Sequence, residues 1–320
     1  MSMSGWSVGS TPVPAPVSDR PGLGQAFAAT AGVAVSDLAG TEDFDVFTVA
    51  RMTDRSWTGV TSRSRTGPAL VGHPVPVEQS ACHHLLVGRR PVLARDLRRH
   101  TDPELRAVGR QHGVSAYVGA PLRRFDGQLL GSVCGYSAAR WTGVDHDRLA
   151  ARLALVADVL GRELATALDA VVDDRRAGIE QALRSRDDVT GLPDRRGWGL
   201  LLHDEAERAV HLAEDLSVVL VDIGLVRTAR GLRRAGHVLR EALGEVALSR
   251  VGGRQFGVVG GDLDDLDPGA TAVLAQDALR AAGYTATAGW AVREPQEDVV
   301  GTWRRAEDAL LRVRAGRVSG

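Results

Sequence analysis

The sequence contains no lysine and no asparagine; all 39 of its basic residues are arginine. Both missing residues have AT-rich codons, so a GC-rich genome is a sufficient cause. Their absence removes the meaning of any Lys-to-Arg or Asn-to-Asp difference. Acids are plentiful, with 40 Asp and Glu, so a missing acid at a key position does carry meaning. Cysteine is scarce: Cys82 and Cys134 exclude a disulfide framework and a zinc ribbon, and both are expected to be small core residues. No apolar run approaches the ~20 residues that cross a bilayer. The N-terminus has neither a basic leading region nor an apolar stretch of the secretory kind. A net charge of −1 creates no field that draws nucleic acid or an anionic membrane. The expectation is a soluble, cytoplasmic protein with no nucleic-acid or membrane partner.

What is present suits two globular units: 320 residues, 44% apolar and 25% charged. Residues 1–22 are rich in Pro, Ser and Gly and are expected to be a disordered tail. Residues 23–165 mix strand and helix patterns. Strands are expected over 44–52, 57–64 and 91–97, and a helix is expected to open in 76–90. The stretches 114–124 and 128–137 read as a hairpin turned by Asp126-Gly127. From Asp145 the positions Leu149, Leu153, Val156, Leu160, Leu164, Leu168 and Val171 step by three and four, which places them on one face of a long helix. Its second half, 166–186, is expected to be a helical connector between two subunits of a homodimer.

Residues 187–320 form a second unit. Strands over 216–223, 245–251, 255–261 and 284–292 alternate with helices over 232–243, 267–283 and 298–316. This β-α-β-β-α-β order predicts a ferredoxin-like, palm-type sheet with helices on one face. The fold class is therefore α+β throughout. Between the second and third of these strands lies RVGGRQF, residues 250–256. Gly252-Gly253 can take positive φ, so the stretch predicts a tight turn. Turns of this shape often present two polar side chains to a phosphate or a metal. Here those side chains are Arg254 and Gln255, and neither is an acid.

Four stretches of this unit resemble the GGDEF domain of diguanylate cyclases: DDVTGLPDRRGW (187–198), LVDI (220–223), RVGGRQF (250–256) and AEDALLRVRAGR (306–317). The resemblance implies a fold, and fold alone does not imply activity. Such cyclases join two GTP into cyclic di-GMP across a dimer, with Mg²⁺ held by carboxylates and phosphate oxygens. Carried over, the metal positions are Asp222, the carbonyl of Ile223, and Arg254; the position that is normally Glu is Gln255. A guanidinium ~4 Å from a dication is repelled by roughly 8 kcal/mol at an effective dielectric of 20. Asp222 is then a vestigial metal ligand. The guanine-reading positions fall on Arg230 and on Gly236 or His237, and the product-inhibition motif would fall on Leu243 and Val246. The phosphate-contacting position of the closing helix is Arg314. Candidate nucleotide-binding residues are Asp222, Gly252, Gly253, Arg254 and Arg314, with no catalytic residue left. Arg254 either holds a nucleotide phosphate in place of the metal's charge or is a solvated turn residue.

The first unit resembles a GAF domain, a small-molecule sensor fold with a central antiparallel sheet and flanking helices. The resemblance rests on VEQSACHHLLVGRRPVLARDL, VSAYVGAPLRRFDGQLLGSVCGYS and RWTGVDHDRL. It implies a pocket on one sheet face, with Cys82, Tyr117 and Cys134 as candidate lining residues and an unknown ligand. Three consecutive helical residues cannot all face one ion, so Cys82-His83-His84 is a poor metal site. His83, His84, His100 and His112 are each weak candidates for a haem ligand. No Cys lies in 101–119, where the resemblance would place a bilin attachment.

Together these readings predict a bacterial signal-transduction protein with a GAF sensor domain (23–165), a helical connector (166–186) and a degenerate GGDEF domain (187–320). It would act by binding a ligand or a partner protein. The alternatives are an active diguanylate cyclase with an atypical site, which alone would need Mg²⁺, and a non-catalytic receptor for GTP or cyclic di-GMP.

Overall fold

A computed structural model describes residues 23–65, 71–72, 74–80, 82–83, 92–143, 145–226, 228–261, 266–294 and 297–318. The expected tail, His84 and most of the expected helix 76–90 lie outside the described residues. The parts of that helix within them are a short 3₁₀ turn, Val77–Gln79, and the helical residues Cys82 and His83.

The first unit holds α1 (Leu23–Thr41), β1 (Val46–Met52), β2 (Ser56–Ser64), β3 (Pro74–Pro76), β4 (Val92–Ala94), α2 (Pro103–Gln111), β5 (Ala116–Arg123), β6 (Leu129–Ser137) and α3 (His146–Ala182). The strands form one sheet in the order β3-β2-β1-β6-β5-β4, and every pairing in it is antiparallel. Strand alternation sorts the side chains onto two faces. Phe47, Val49, Val118, Ala120 and Val133 pack with Phe27 and Leu38 of α1 and Leu149, Leu153 and Leu160 of α3. Trp57, Tyr117 and Cys134 turn the other way and pack with Val77, Cys82, Leu97 and Leu105. The β5–β6 turn is as expected, with Gly127 at φ +92° and its N–H donating to Arg124 O at 2.9 Å.

α3 starts at Asp145, whose carboxylate accepts from Arg148 N. It runs unbroken through 165 and into the expected connector. There Val171, Arg175, Gly178 and Ala182 are buried. Arg175, Gly178 and Ala182 face α4 (Arg195–His211), which no sequence pattern announces, and Val171 packs in the core of the first unit. The buried stripe of the connector is thus covered within the chain.

The second unit continues with β7 (Leu216–Asp222), α5 (Ala229–Leu243), β8 (Ala247–Gly252), β9 (Gln255–Gly261), α6 (Pro268–Ala281), β10 (Thr287–Val292) and α7 (Val299–Val318). Its sheet order is β10-β7-β9-β8, antiparallel throughout. That is the ferredoxin-like arrangement the sequence predicts. The expected single helical layer is corrected. Val219, Val221 and Phe256 pack under α5 and α6 through Leu239, Ala275 and Leu279. Val218, Leu220 and Val259 pack under α4 and α7 through Trp198, Leu201, Ala306 and Leu310. β7 is buried at all seven positions because both faces are covered. α6 ends as expected near Gly283 (φ +87°), after which Tyr284 N donates back to Leu279 O at 2.9 Å.

Candidate functional site

The sequence offers two candidate sites, and the fold builds each from different elements. In the second unit, β8 and β9 pair Gly252 with Gln255, so the loop between them is Gly253-Arg254. Gly253 has φ +49°, while Gly252 is not in the left-handed region. Of the two glycines that can take positive φ, one does. A two-residue hairpin of the II′ kind needs Gly only at its first central position. Arg250 braces the loop from behind: its guanidinium donates to Gly253 O at 2.7 Å and to Asp187 Oδ2 at 2.6 Å. Asp187 also accepts from Thr190 N and Thr190 Oγ1, each at 2.8 Å. Burial works to raise its pKa, but these bonds and Arg250 hold the carboxyl below its ordinary range. The first and third motif stretches therefore meet as a structural clamp.

Strand pairing sets Asp222 directly opposite Gln255. Ile223 N donates to Arg254 O at 3.2 Å, which ties the turn to the end of β7. The Asp222 carboxylate is nearly buried, and both of its oxygens have partners. Oδ1 accepts from Gly224 N at 2.9 Å, and Oδ2 lies 3.4 Å from Arg314 Nη1 of α7. Gly224 is at φ +66°, and a Cβ there would stand 2.1 Å from Thr285 Oγ1. A side chain at Gly224 would be strained and would have to displace Thr285. Arg254 and Gln255 are half-buried, and Gly252 and Gly253 are exposed. Arg230 and His237 are exposed, and His237 Nε2 pairs with Glu241 Oε1 at 3.3 Å. Gly236 is buried, and a Cβ on it would meet Thr190 and Leu192.

This donor set does not suit Mg²⁺. A hard dication needs carboxylate oxygens, whereas the one acid here is neutralised by Arg314 and the facing turn supplies Arg254. Among the described residues no group of three or more His, Cys, Asp and Glu is placed to hold a metal ion.

In the first unit the structure brings all three pocket candidates together. Cys82, Tyr117 and Cys134 are each 0% exposed. Tyr117 Oη donates to Cys82 Sγ at 3.4 Å, and the two sulfurs are 3.4 Å apart. Tyr136 Oη lies 3.2 Å from Cys82 Sγ and 3.1 Å from Cys134 Sγ. Ser132 Oγ lies 3.5 Å from Cys82 Sγ and accepts from Trp57 Nε1 at 3.3 Å. Gly119, paired with Cys134, leaves room for this: a Cβ on it would lie 2.2 Å from Tyr117 Oη.

Residues 22–168 match the model of the GAF domain.

No curated protein matches the chain in sequence. Among solved structures, the chain is similar to the chromophore-binding domain of a bacteriophytochrome from R. palustris. The identity is 16% and the TM-score 0.39, over 45% of this chain and 57% of that one. The match thus spans little more than half of that protein's length. It is also similar to the GGDEF domain of DgcB from Caulobacter crescentus in complex with c-di-GMP. There the identity is 18% and the TM-score 0.37, over 41% of this chain and 91% of that one.

Within the GAF domain the histidines are dispersed. His100 Nδ1 accepts from Asp102 N at 3.2 Å, and His112 Nε2 contacts Gln79 O at 3.1 Å. His83 is half-buried beside Ser80, whose Oγ accepts from His83 N at 3.1 Å. Sequence reasoning missed Trp57, Ser132 and Tyr136. A usable signal existed for two of them: Ser132, Cys134 and Tyr136 alternate by two along β6 and so share a face. Trp57 arrives only through the register of β2 on β1 and of β1 on β6.

Among the described residues no helix is long and apolar enough to cross a membrane.

Proposed function

We propose that this chain is a signalling protein whose GAF domain is the sensor and whose second unit is a degenerate GGDEF domain without cyclase activity. The observation that supports the second half is the pairing of Asp222 with Arg314 at 3.4 Å, facing a turn that carries Arg254 and Gln255. A cyclase of this fold needs two carboxylates on a dication; this site presents one carboxylate, paired with Arg314, and an arginine at the position of the second. The same charge arrangement suits an anion, so the unit acts by binding a ligand or a partner protein. In this reading the protein works in the cytoplasm as a homodimer. A GAF ligand changes the output only by its differential affinity for two arrangements of α3 and α4.

The test is GTP turnover with Mg²⁺ or Mn²⁺, with cyclic di-GMP read by mass spectrometry. The wild-type chain is expected to give no product, and product from it sinks the reading. The second reading, a non-catalytic nucleotide receptor, rests on Arg314 paired with the buried Asp222 and on Arg254 in the adjoining turn. Saturable binding of GTP or cyclic di-GMP that is lost in Arg254→Ala supports it, and absence of binding at millimolar ligand removes it.

A further inference from the structure

The GAF sheet face turned away from α1 and α3 carries a cluster of sulfurs and hydroxyls among its apolar residues. Two sulfurs from residues 52 apart in sequence lie 3.4 Å from each other, among the hydroxyls of the buried Tyr117 and Ser132 and the half-buried Tyr136. Simple packing does not require hydroxyls here. Burying one is costly unless it is hydrogen-bonded, and these hydroxyls find their partners largely in the two sulfurs. Tyr117 and Ser132 both donate to Cys82, and Tyr136 reaches both cysteines. Trp57 fixes Ser132 from the far side. Donors aimed at a sulfur favour its thiolate.

The two cysteines are not equivalent. Burial works to raise both. At Cys82 the bonds from Cys134, Ser132, Tyr117 and Tyr136 outweigh burial and bring the thiol down to about 6. At Cys134 burial and the neighbouring Cys82 push the thiol well up. The hydroxyl donors gathered on Cys82 mark it as the nucleophile of the pair, with the Cys134 sulfur in contact with it. Both are free thiols. A disulfide requires the sulfurs at about 2.05 Å, so rotation of the side chains must close the 3.4 Å gap.

We propose that Cys82 and Cys134 are a redox-active dithiol that reduces a hydroperoxide and closes into a disulfide linking β6 to the segment after β3. Neither sulfur has exposed area, so the oxidant is small, with hydrogen peroxide as its simplest member. The Cys82 thiolate attacks one peroxide oxygen and the O–O bond breaks. The departing oxygen takes up the proton that Cys82 released and leaves as alcohol or water. Cys82 is now a sulfenic acid. The Cys134 sulfur attacks the Cys82 sulfur, the S–O bond breaks, and hydroxide leaves with the Cys134 proton as water. Two electrons pass from the thiols to the peroxide. The dithiol does not rest on the signalling reading, and the cyclase assay does not bear on it.

The full chain is treated with hydrogen peroxide under native conditions, quenched in acid, unfolded and alkylated. Both thiols are expected to lose reactivity, the intact mass to fall by two hydrogens, and peptide mapping to join Cys82 to Cys134. Cys134→Ser is expected to stop at the Cys82 sulfenic acid, trapped by a 1,3-dicarbonyl probe. Cys82→Ser is expected to leave Cys134 alkylatable. Tyr136→Phe keeps the ring and is expected to slow wild-type disulfide formation several-fold. Because the chain has two cysteines, a disulfide within one monomer has one possible pairing. Full alkylation after peroxide, a disulfide formed between chains or only after unfolding, or equal reactivity of the two single variants would overturn the proposal.

Discussion

Arg175 Nη2 lies 2.9 Å from Glu205 Oε2, with the two side chains 9% and 2% exposed. The same guanidinium group reaches Glu214 Oε1 at 2.8 Å, so one arginine of α3 ties α4 to the loop that leads into β7. Burial alone would raise the Glu205 pKa; Arg175 and Arg208 hold it below its ordinary range. Any shift of α3 against α4 must carry this cluster along or break it. Removing one member of a buried ion pair leaves an uncompensated charge and costs about 3–5 kcal/mol. Arg175→Ala is expected to lower the urea midpoint by a corresponding amount, with an unchanged m-value. A midpoint at the wild-type value would show that the cluster is solvated.

Arg314 is 37% exposed where it meets Asp222, so solvent screens the pair. Arg314→Ala is expected to change stability by no more than about 1 kcal/mol. The larger effect is on cations. The wild-type chain is expected to give no saturable Mn²⁺ signal by paramagnetic relaxation, and the double variant Arg254→Asp with Arg314→Ala is expected to give one. Saturable Mn²⁺ binding by the wild type would mean that the guanidinium groups stand aside from Asp222.

Tyr117 Oη occupies the space that a Cβ on Gly119 would enter, at 2.2 Å. Gly119→Ala is expected to displace the tyrosine from Cys82 and to cost about 1–3 kcal/mol through overpacking. Thermal denaturation reads the stability, and the rate of peroxide oxidation reads the displaced hydroxyl. A variant with wild-type values for both would remove Tyr117 from the cluster.

Glu297 provides a pH limb that separates the closing helix from the rest. The Arg305 guanidinium hydrogen-bonds it, and with Glu294 N–H and the Thr302 hydroxyl it outweighs burial, lowering the pKa from 4.5 to about 2. A depressed carboxylate stabilises the fold fully above its unfolded value and loses that contribution as pH falls through its folded value. Glu297→Gln is expected to flatten the loss of melting temperature between about 4.5 and about 2. An acid limb with the wild-type slope would place the titration elsewhere.

Much of this was legible in the chain itself. Short apolar runs bounded by turn residues marked β1, β5, β6 and β9, and three-four spacing marked α3, because burial is written directly in apolar positions. The β-α-β-β-α-β order carried the sheet of the second unit. The tight turn was legible from RVGGRQF, and its lack of acids was plain where acids are otherwise abundant. α4 was not legible: it is covered on several sides, by α3, by the sheet and by α7, so its buried residues do not trace one clean stripe.

The sequence by itself determined the local elements, the turn and the chemistry missing from it, since these depend on neighbours a few residues apart. Only the tertiary structure decided what those residues meet. Register set Asp222 against Gln255, α7 delivered Arg314 to Asp222, and the α3–α4 packing buried Arg175 between two glutamates. The two scarce cysteines read as separate core residues until the GAF sheet placed their sulfurs in contact. Partners 30 to 100 residues apart are selected by packing and hydrogen-bond satisfaction across the whole domain. A linear pattern does not encode those partners position by position.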